Sequence, residues 1–238
     1  MRRANQIVVD VLNDLRESVR PGISTMELEE RARKMLKKES KVKPAFLGYR
    51  GYPAVLCASL NEEVVHGIPS EKRILKEGDI LSIDFGVEKD GFFGDAAITI
   101  PVGKINDQKA TLLKITRECL EKAIAALVPG NHLSDIAKAV QGHAEAHGFS
   151  VVYQFVGHGI GRKMHEEPQI PNCGTPRPNV RLTPGMVLAI EPMINSGAAE
   201  VEVLEDGWTA VTADRKPSAH FEKSVAVREH GPDVLSVW

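Results

Sequence analysis

Ten residues of this chain occur twice in close variation. Leu75-Lys-Glu-Gly78-Asp-Ile80-Leu81-Ser-Ile83-Asp84 aligns with Leu182-Thr-Pro-Gly185-Met-Val187-Leu188-Ala-Ile190-Glu191 at an offset of 107 positions. Pro21-Gly22 and Pro129-Gly130, each ahead of a helical pattern, repeat at an offset of 108. Either match alone is at chance level, but two with nearly the same offset argue for an internal duplication. The period is close to half of the 238 residues, so the product is two alike halves about a pseudo-twofold axis rather than a solenoid. The halves are expected over about 1–103 and 107–228 within one domain spanning 1–238, because no low-complexity linker separates them.

Each half reads as helix, helix, strands, an α/β (α+β) fold class. Ile7, Val8, Val11, Leu12, Leu15 and Val19 recur at helical spacing until Pro21-Gly22 ends the pattern. Ser24-Thr-Met-Glu27 is a capping-box signal for a second helix to about Lys38. Strands are expected over about 54–60, 80–87 and 96–102, and helices over about 107–127 and 134–147, the latter closed by Gly148. The last third reads as strands over about 150–155, 187–194, 200–204, 208–212 and 220–227.

Composition narrows the function classes. With 42% hydrophobic residues and a net charge of −2, the chain can bury a core and lacks the cationic excess that nucleic acid or an anionic membrane would call for. The N-terminal stretch carries Asp10 and Asp14, which a secretory signal would not tolerate, and no apolar run approaches the roughly 18 residues of a membrane span. Cys57, Cys119 and Cys173 are odd in number and far apart. A disulfide framework is therefore not expected, and a reducing, cytoplasmic setting is.

Acidic residues stand where strands should be apolar. In Ile80–Val87, alternation puts Leu81, Ile83, Phe85 and Val87 on one face and Ser82, Asp84 and Gly86 on the other. Asp84 alone reads equally well as an acid on a solvated face. Glu191 does not, because Val187–Ile194 is apolar on both faces and a lone carboxylate there costs several kcal/mol unless a cation or strong donors meet it. The duplication puts Asp84 and Glu191 at equivalent positions, where acids on either side of a pseudo-twofold axis converge. Asp95, opening the run Ala96–Ile100, and Glu222, on the face of His220 and Ser224, fit the same pattern or read as a turn cap and an exposed strand acid. Carboxylates gathered in one core repel one another, and a pair of divalent cations is the simplest relief.

Three histidines, His66, His158 and His165, sit in apolar or glycine-rich settings, and each reads either as a structural histidine or as a ligand. His132, His143, His147 and His230 read as solvated, and His220, beside Glu222, is left unassigned. Competing motifs are weak. Arg162 occupies the third glycine position of a nucleotide loop at Gly157–Gly161, His165-Glu-Glu-Pro168 is not HExxH, and there is no GxSxG.

Nine blocks then fall in the order of one family: Leu47–Pro53, Asn61–Pro69, Gly78–Asp84, Asp90–Asp95, Gly157–Arg162, His165–Pro168, Pro184–Met186, Ile190–Met193 and Asp206–Trp208. On these the chain resembles the type I methionine aminopeptidases of the pita-bread metallopeptidase superfamily, over about residues 5–228. The resemblance implies duplicated helix-helix-strand halves around a central curved antiparallel sheet. It implies five metal ligands, Asp84, Asp95, His158, Glu191 and Glu222, with Asp95 and Glu222 bridging two divalent ions. One imidazole among oxygen donors suits Mn²⁺, Fe²⁺ or Co²⁺ at least as well as Zn²⁺.

The implied reaction removes the initiator methionine from nascent chains, with a small second residue preferred. A hydroxide activated between the ions attacks the scissile carbonyl, Glu191 relays the proton, His165 stands beside the oxyanion and His66 near the scissile nitrogen. The methionine pocket carries over as Tyr49, Tyr52, Cys57, Met164 and Trp208, with His66 and His165 also touching substrate. Met164 stands where many relatives have Phe, Phe46 where many have Cys, and Ala96-Ala97 replaces a common Thr-Ser pair, which reduces hydroxyl support beside the ions. The resemblance further implies nascent polypeptide N-termini as partners, transient ribosome contact and a monomer. Two other readings are an X-Pro aminopeptidase, which usually needs an extra N-terminal domain, and a catalytically silent binding protein, which would have lost ligands.

Overall fold

The turn ahead of each repeated segment is built the same way twice. In the computed structural model, which describes residues 1–238, the Gly22 N–H donates to Leu75 O at 2.8 Å and the Gly130 N–H to Leu182 O at 3.0 Å. The Thr25 N–H donates to Arg73 O, and the Leu133 N–H to Val180 O. The Glu27 carboxylate accepts from the Ser24 N–H, and the Asp135 carboxylate from the His132 N–H, each at 2.7 Å. Each of these bonds recurs at the offsets found in the sequence, so the duplication extends to the hydrogen bonds that dock each second helix onto its strand.

The first half consists of α1 (Arg2–Ser18), α2 (Thr25–Leu36), β1 (Val42–Pro44), β2 (Leu56–Leu60), β3 (Glu63–Val65), β4 (Ile80–Lys89) and β5 (Phe92–Pro101). The second opens with α3 (Asp107–Ala125) and α4 (Leu133–Ala146), followed by β6 (Ser150–Val151), β7 (Gly157–Gly159), β8 (Glu166–Ile170) and β9 (Val187–Ile190). It closes with β10 (Met193–Asn195), β11 (Val201–Val203), β12 (Ala210–Thr212), β13 (Ser218–His220), β14 (Glu222–Arg228) and β15 (Gly231–Val234). Strands β1-β4-β5-β14-β9-β7-β8 form the main, curled antiparallel sheet, with β2 also on β4 and β15 also on β14. Two smaller sheets, β13-β10-β6 and β11-β12-β3, lie beside it.

One face of the main sheet is apolar. Leu81, Ile83, Phe85 and Val87 of β4, Ala96, Ile98 and Ile100 of β5, Val225 and Val227 of β14, and Leu188 and Ile190 of β9 all belong to a core of 44 buried residues. Ala4, Ile7, Val8, Val11, Leu12 and Leu15 of α1 and Leu112, Ile115, Cys119, Leu120 and Ala123 of α3 complete it from the helix side. The close approach of α1 depends on Gly94: a Cβ there would come within 2.7 Å of the backbone of Ala4 and Asn5.

Several expected elements are altered. The strands expected over 187–194 and 220–227 each break, at Pro192 and at Phe221. Pro192 has no N–H for a ladder bond, and there the chain leaves the main sheet as β9 and enters the small one as β10. The strand expected over 150–155 shrinks to β6, while β1, β3, β7, β8 and β15 are added. His143, expected to be solvated, packs between α3 and α4 with its Nε2 at 2.7 Å from Glu118 Oε2.

Glu29 of α2 is buried and turned inward, its carboxylate accepting from the Val55 and Leu56 N–H groups at the start of β2. Arg33 meets it at 2.7 Å. Truncation orphans two buried donors, each worth about 1–3 kcal/mol. Glu29→Ala is therefore expected to lower unfolding free energy by about 2–4 kcal/mol in urea melts; a change below about 1 kcal/mol would contradict this account of β2.

Candidate active site

Strand register brings the acids together. Asp84 of β4 lies opposite Ala97 of β5, and Ala97 lies opposite Glu222 of β14. Lys223 pairs with Ile190, which sets Glu191, the next residue, beside Glu222. His158 of β7 pairs with Ala189, two residues before Glu191, and Cys57 of β2 pairs with Asp84. Alternation puts Asp95 on the same face as Ala97. All five candidate ligands therefore point from the face opposite the helices, into a cavity of about 780 Å³.

At its floor, one donor atom each from Asp95, His158 and Glu222 lie within 4.8 Å of one another, a group able to hold a metal ion. His158 Nε2 is 3.5 Å from Glu191 Oε1 and 3.9 Å from Asp95 Oδ2. The other ring nitrogen of His158, Nδ1, is 2.9 Å from Gly159 O. Donation of Nδ1–H to that carbonyl fixes the tautomer and leaves Nε2 as a lone-pair donor toward the acids. Asp84 Oδ1, Asp95 Oδ1 and Glu222 Oε1 are buried without a hydrogen-bond partner. Burial, together with the neighbouring carboxylates for Asp95, Glu191 and Glu222, pushes all four acids well above the ordinary carboxylate range. Orphaned anionic oxygens beside a free imidazole lone pair fit divalent cations, which supply the missing charge and take the unused lone pairs.

Apolar side chains line one part of the cavity, and charged side chains of both signs, Glu166 and Glu167 among them, line another. Tyr52, Cys57, Met164 and Trp208 line the cavity with Phe46, Val65 and Phe155. Tyr52 and Trp208 meet edge to face at 5.1 Å, and the Tyr52 hydroxyl is held between Leu56 O and Gly67 O. Burial raises the Cys57 thiol well above its ordinary pKa, so it stays neutral and inert. His66 lies edge-on to Phe155 and Trp208, and burial brings its pKa down to about 4. His165 sits at the mouth, its Nδ1 2.8 Å from the Tyr49 hydroxyl, and is likewise lowered to about 4, by burial and by His158 and Arg50. Arg50, Arg162 and Lys163 stand around the opening.

Every candidate residue named from the sequence lines this one cavity. His220, left unassigned there, lines it too, its Nε2 3.8 Å from Glu191 Oε2. Its position one residue before the break at Phe221 is what turns it in, and no periodicity signals that break.

The profile of metallopeptidase family M24 matches residues 1–229. The chain belongs to metallopeptidase family M24. It is 48% identical to methionine aminopeptidase 1 of Bacillus subtilis, over 99% of this chain and 94% of that protein. It is 43% identical to methionine aminopeptidase of Escherichia coli, over 100% of this chain and 90% of that protein. The crystal structure of methionine aminopeptidase from Thermotoga maritima superposes with a TM-score of 0.97 at 45% identity, covering 100% of this chain and 95% of that one. Prolidase from Pyrococcus horikoshii shares the fold, with a TM-score of 0.80 at 21% identity, and this chain covers 60% of it.

The buried acids set a pH dependence for the metal-free protein. Carboxyls whose pKa is raised by folding hold protons that the unfolded chain has released, so stability falls as pH rises toward their folded pKa. Above about pH 7.5 the histidines are largely neutral in both states and oppose this little. The melting temperature of metal-stripped protein is expected to fall between about pH 7.5 and 8.5, and saturating Mn²⁺ to raise it most at the upper end. A flat metal-free profile would contradict the proposed crowding of acids.

Proposed function

We propose that this chain is the methionine aminopeptidase of its source, an M24 hydrolase that removes methionine from the N-termini of nascent chains and peptides, as they leave the ribosome in the cytoplasm. The observation that carries it is the coincidence, in one cavity, of a buried carboxylate–imidazole floor with the apolar side chains of Tyr52, Cys57, Met164 and Trp208. The floor fits divalent ions, held by Asp84, Asp95, His158, Glu191 and Glu222. Two ions match the four carboxylates in charge, and the donor set accepts Mn²⁺, Fe²⁺, Co²⁺ or Zn²⁺. Bound there, the ions polarise the scissile carbonyl and lower the pKa of water from about 15.7 toward roughly 7.

The remaining roles belong to side chains. Tyr52, Cys57, Met164 and Trp208 enclose the methionine thioether, which adapts to irregular apolar walls. Once loaded, the floor would take the free α-amine as a ligand to an ion, and this restricts cleavage to the first peptide bond. Glu191 takes and returns the proton of the attacking water through its carboxylate. His165, neutral and oriented by Tyr49, donates an N–H to the developing oxyanion. His66, neutral against Phe155 and Trp208, contacts the scissile amide nitrogen. A small second residue is preferred because a larger one must pass between these two histidines and the walls.

Mass spectrometry of Met-Ala-Ser with metal-stripped protein is expected to show release of methionine only after Mn²⁺ or Co²⁺ is added. The slowing expected for Glu191→Ala is about 10²–10⁴-fold. His165→Ala is expected to lower kcat about 10²-fold, the loss of one oxyanion donor worth about 3 kcal/mol. Turnover of Ala-Pro peptides in place of Met-Ala-Ser would move the assignment to the X-Pro peptidases that share this fold. Metal uptake without turnover of either would point to a binding protein.

A further inference from the structure

His220 is a buried imidazole to which neither the sequence motifs nor the proposed reaction gives a task. Its backbone is held on two sides. The His220 N–H donates to Thr99 Oγ1 at 2.9 Å, and the Thr99 hydroxyl donates to His220 O at 2.7 Å. Ser82 Oγ lies 2.9 Å from the same Thr99 hydroxyl, and His220 pairs with Met193 across β13 and β10. The ring is 2% exposed, and its Nε2 is buried with no hydrogen-bond partner. Glu191 Oε2 lies 3.8 Å from it.

Glu191 presents the complementary need. Its side chain accepts no hydrogen bond, and it stands between two imidazoles: Oε1 is 3.5 Å from His158 Nε2, and Oε2 faces His220. We propose that His220 is a positioning residue for Glu191: its Nε2–H, 3.8 Å from Oε2 here, donates to that oxygen in the metal-loaded protein, so that Oε1 stays turned toward His158 and the metal ion the two would share. His220 is not among the five residues proposed to hold the ions, and its Nε2 faces the oxygen of Glu191 turned away from His158. A hydrogen bond to the second oxygen of a ligating carboxylate fixes its orientation, and loss of such a partner typically weakens metal binding by about 10–100-fold. The inference rests on the metallopeptidase reading of the site.

The test is titration of Co²⁺ into metal-stripped protein, followed by calorimetry and by the visible absorption of the bound ion. It compares the unaltered protein with His220→Leu and His220→Gln, after thermal melts of the metal-free forms establish folding. His220→Leu is expected to weaken binding by about 10-fold or more and alter the spectrum, and His220→Gln, whose amide can donate, to stay within about 3-fold. Unchanged Co²⁺ affinity in His220→Leu overturns the assignment. Equal losses in both variants also overturn it, because they make the ring a space-filler rather than a donor. Failure of the unaltered protein to bind Co²⁺ overturns the metal site, and this role with it.

Discussion

Repulsion among four carboxylates is the interaction around which this protein is organised. Asp84, Asp95, Glu191 and Glu222 lie on one face of one sheet, with three of their oxygens buried and unpartnered. Burying even one such charge unpaired costs several kcal/mol, a sum the surrounding fold must offset until cations arrive. The offset is the opposite face of the same strands: Leu81, Ile83, Phe85, Ile98, Leu188 and Val225 alternate with the acids and lock against α1 and α3. Every strand that carries an unfavourable group inward is thus held by an apolar group outward.

The two-residue period of a strand makes that arrangement rigid in register. A slip of one residue between β5 and β14 would send Glu222 into the helix core and Lys223 into the cavity. Duplication supplies the symmetry, and the breaks at Pro192 and Phe221 supply the departure from it. There the chain changes sheets, so that Glu191, His220 and Glu222 meet at a corner, while the pocket walls come from both halves, Phe46, Tyr52, Cys57 and Val65 from the first and Phe155, Met164 and Trp208 from the second.

The sequence displayed the parts governed by short-range periodicity and by repetition. Asp84 and Glu191 could be paired because the ten residues ending in each are alike, and the helices could be bounded by their caps and by Pro-Gly. The corner could not be read, since an apolar run such as Val187–Ile194 looks continuous until the missing N–H of Pro192 is set against its neighbours. Glu29 was hidden for a related reason: among the charged residues of α2 nothing distinguishes the one that turns inward to meet Val55 and Leu56. His143 looked solvated for want of any local sign of Glu118. Strand β7 was masked by its glycines, Gly157 and Gly159, which are needed because a Cβ at either would fall within 2.4 Å of a facing carbonyl oxygen. The grouping of His66, His165 and the pocket residues came from the family resemblance, not from spacing.

The most direct test of the account is anomalous diffraction from crystals of the Mn²⁺-loaded protein. Mn²⁺ is expected at the cavity floor, among Asp84, Asp95, His158, Glu191 and Glu222. Mn²⁺ confined to the surface, or no peak between these carboxylates, would contradict it.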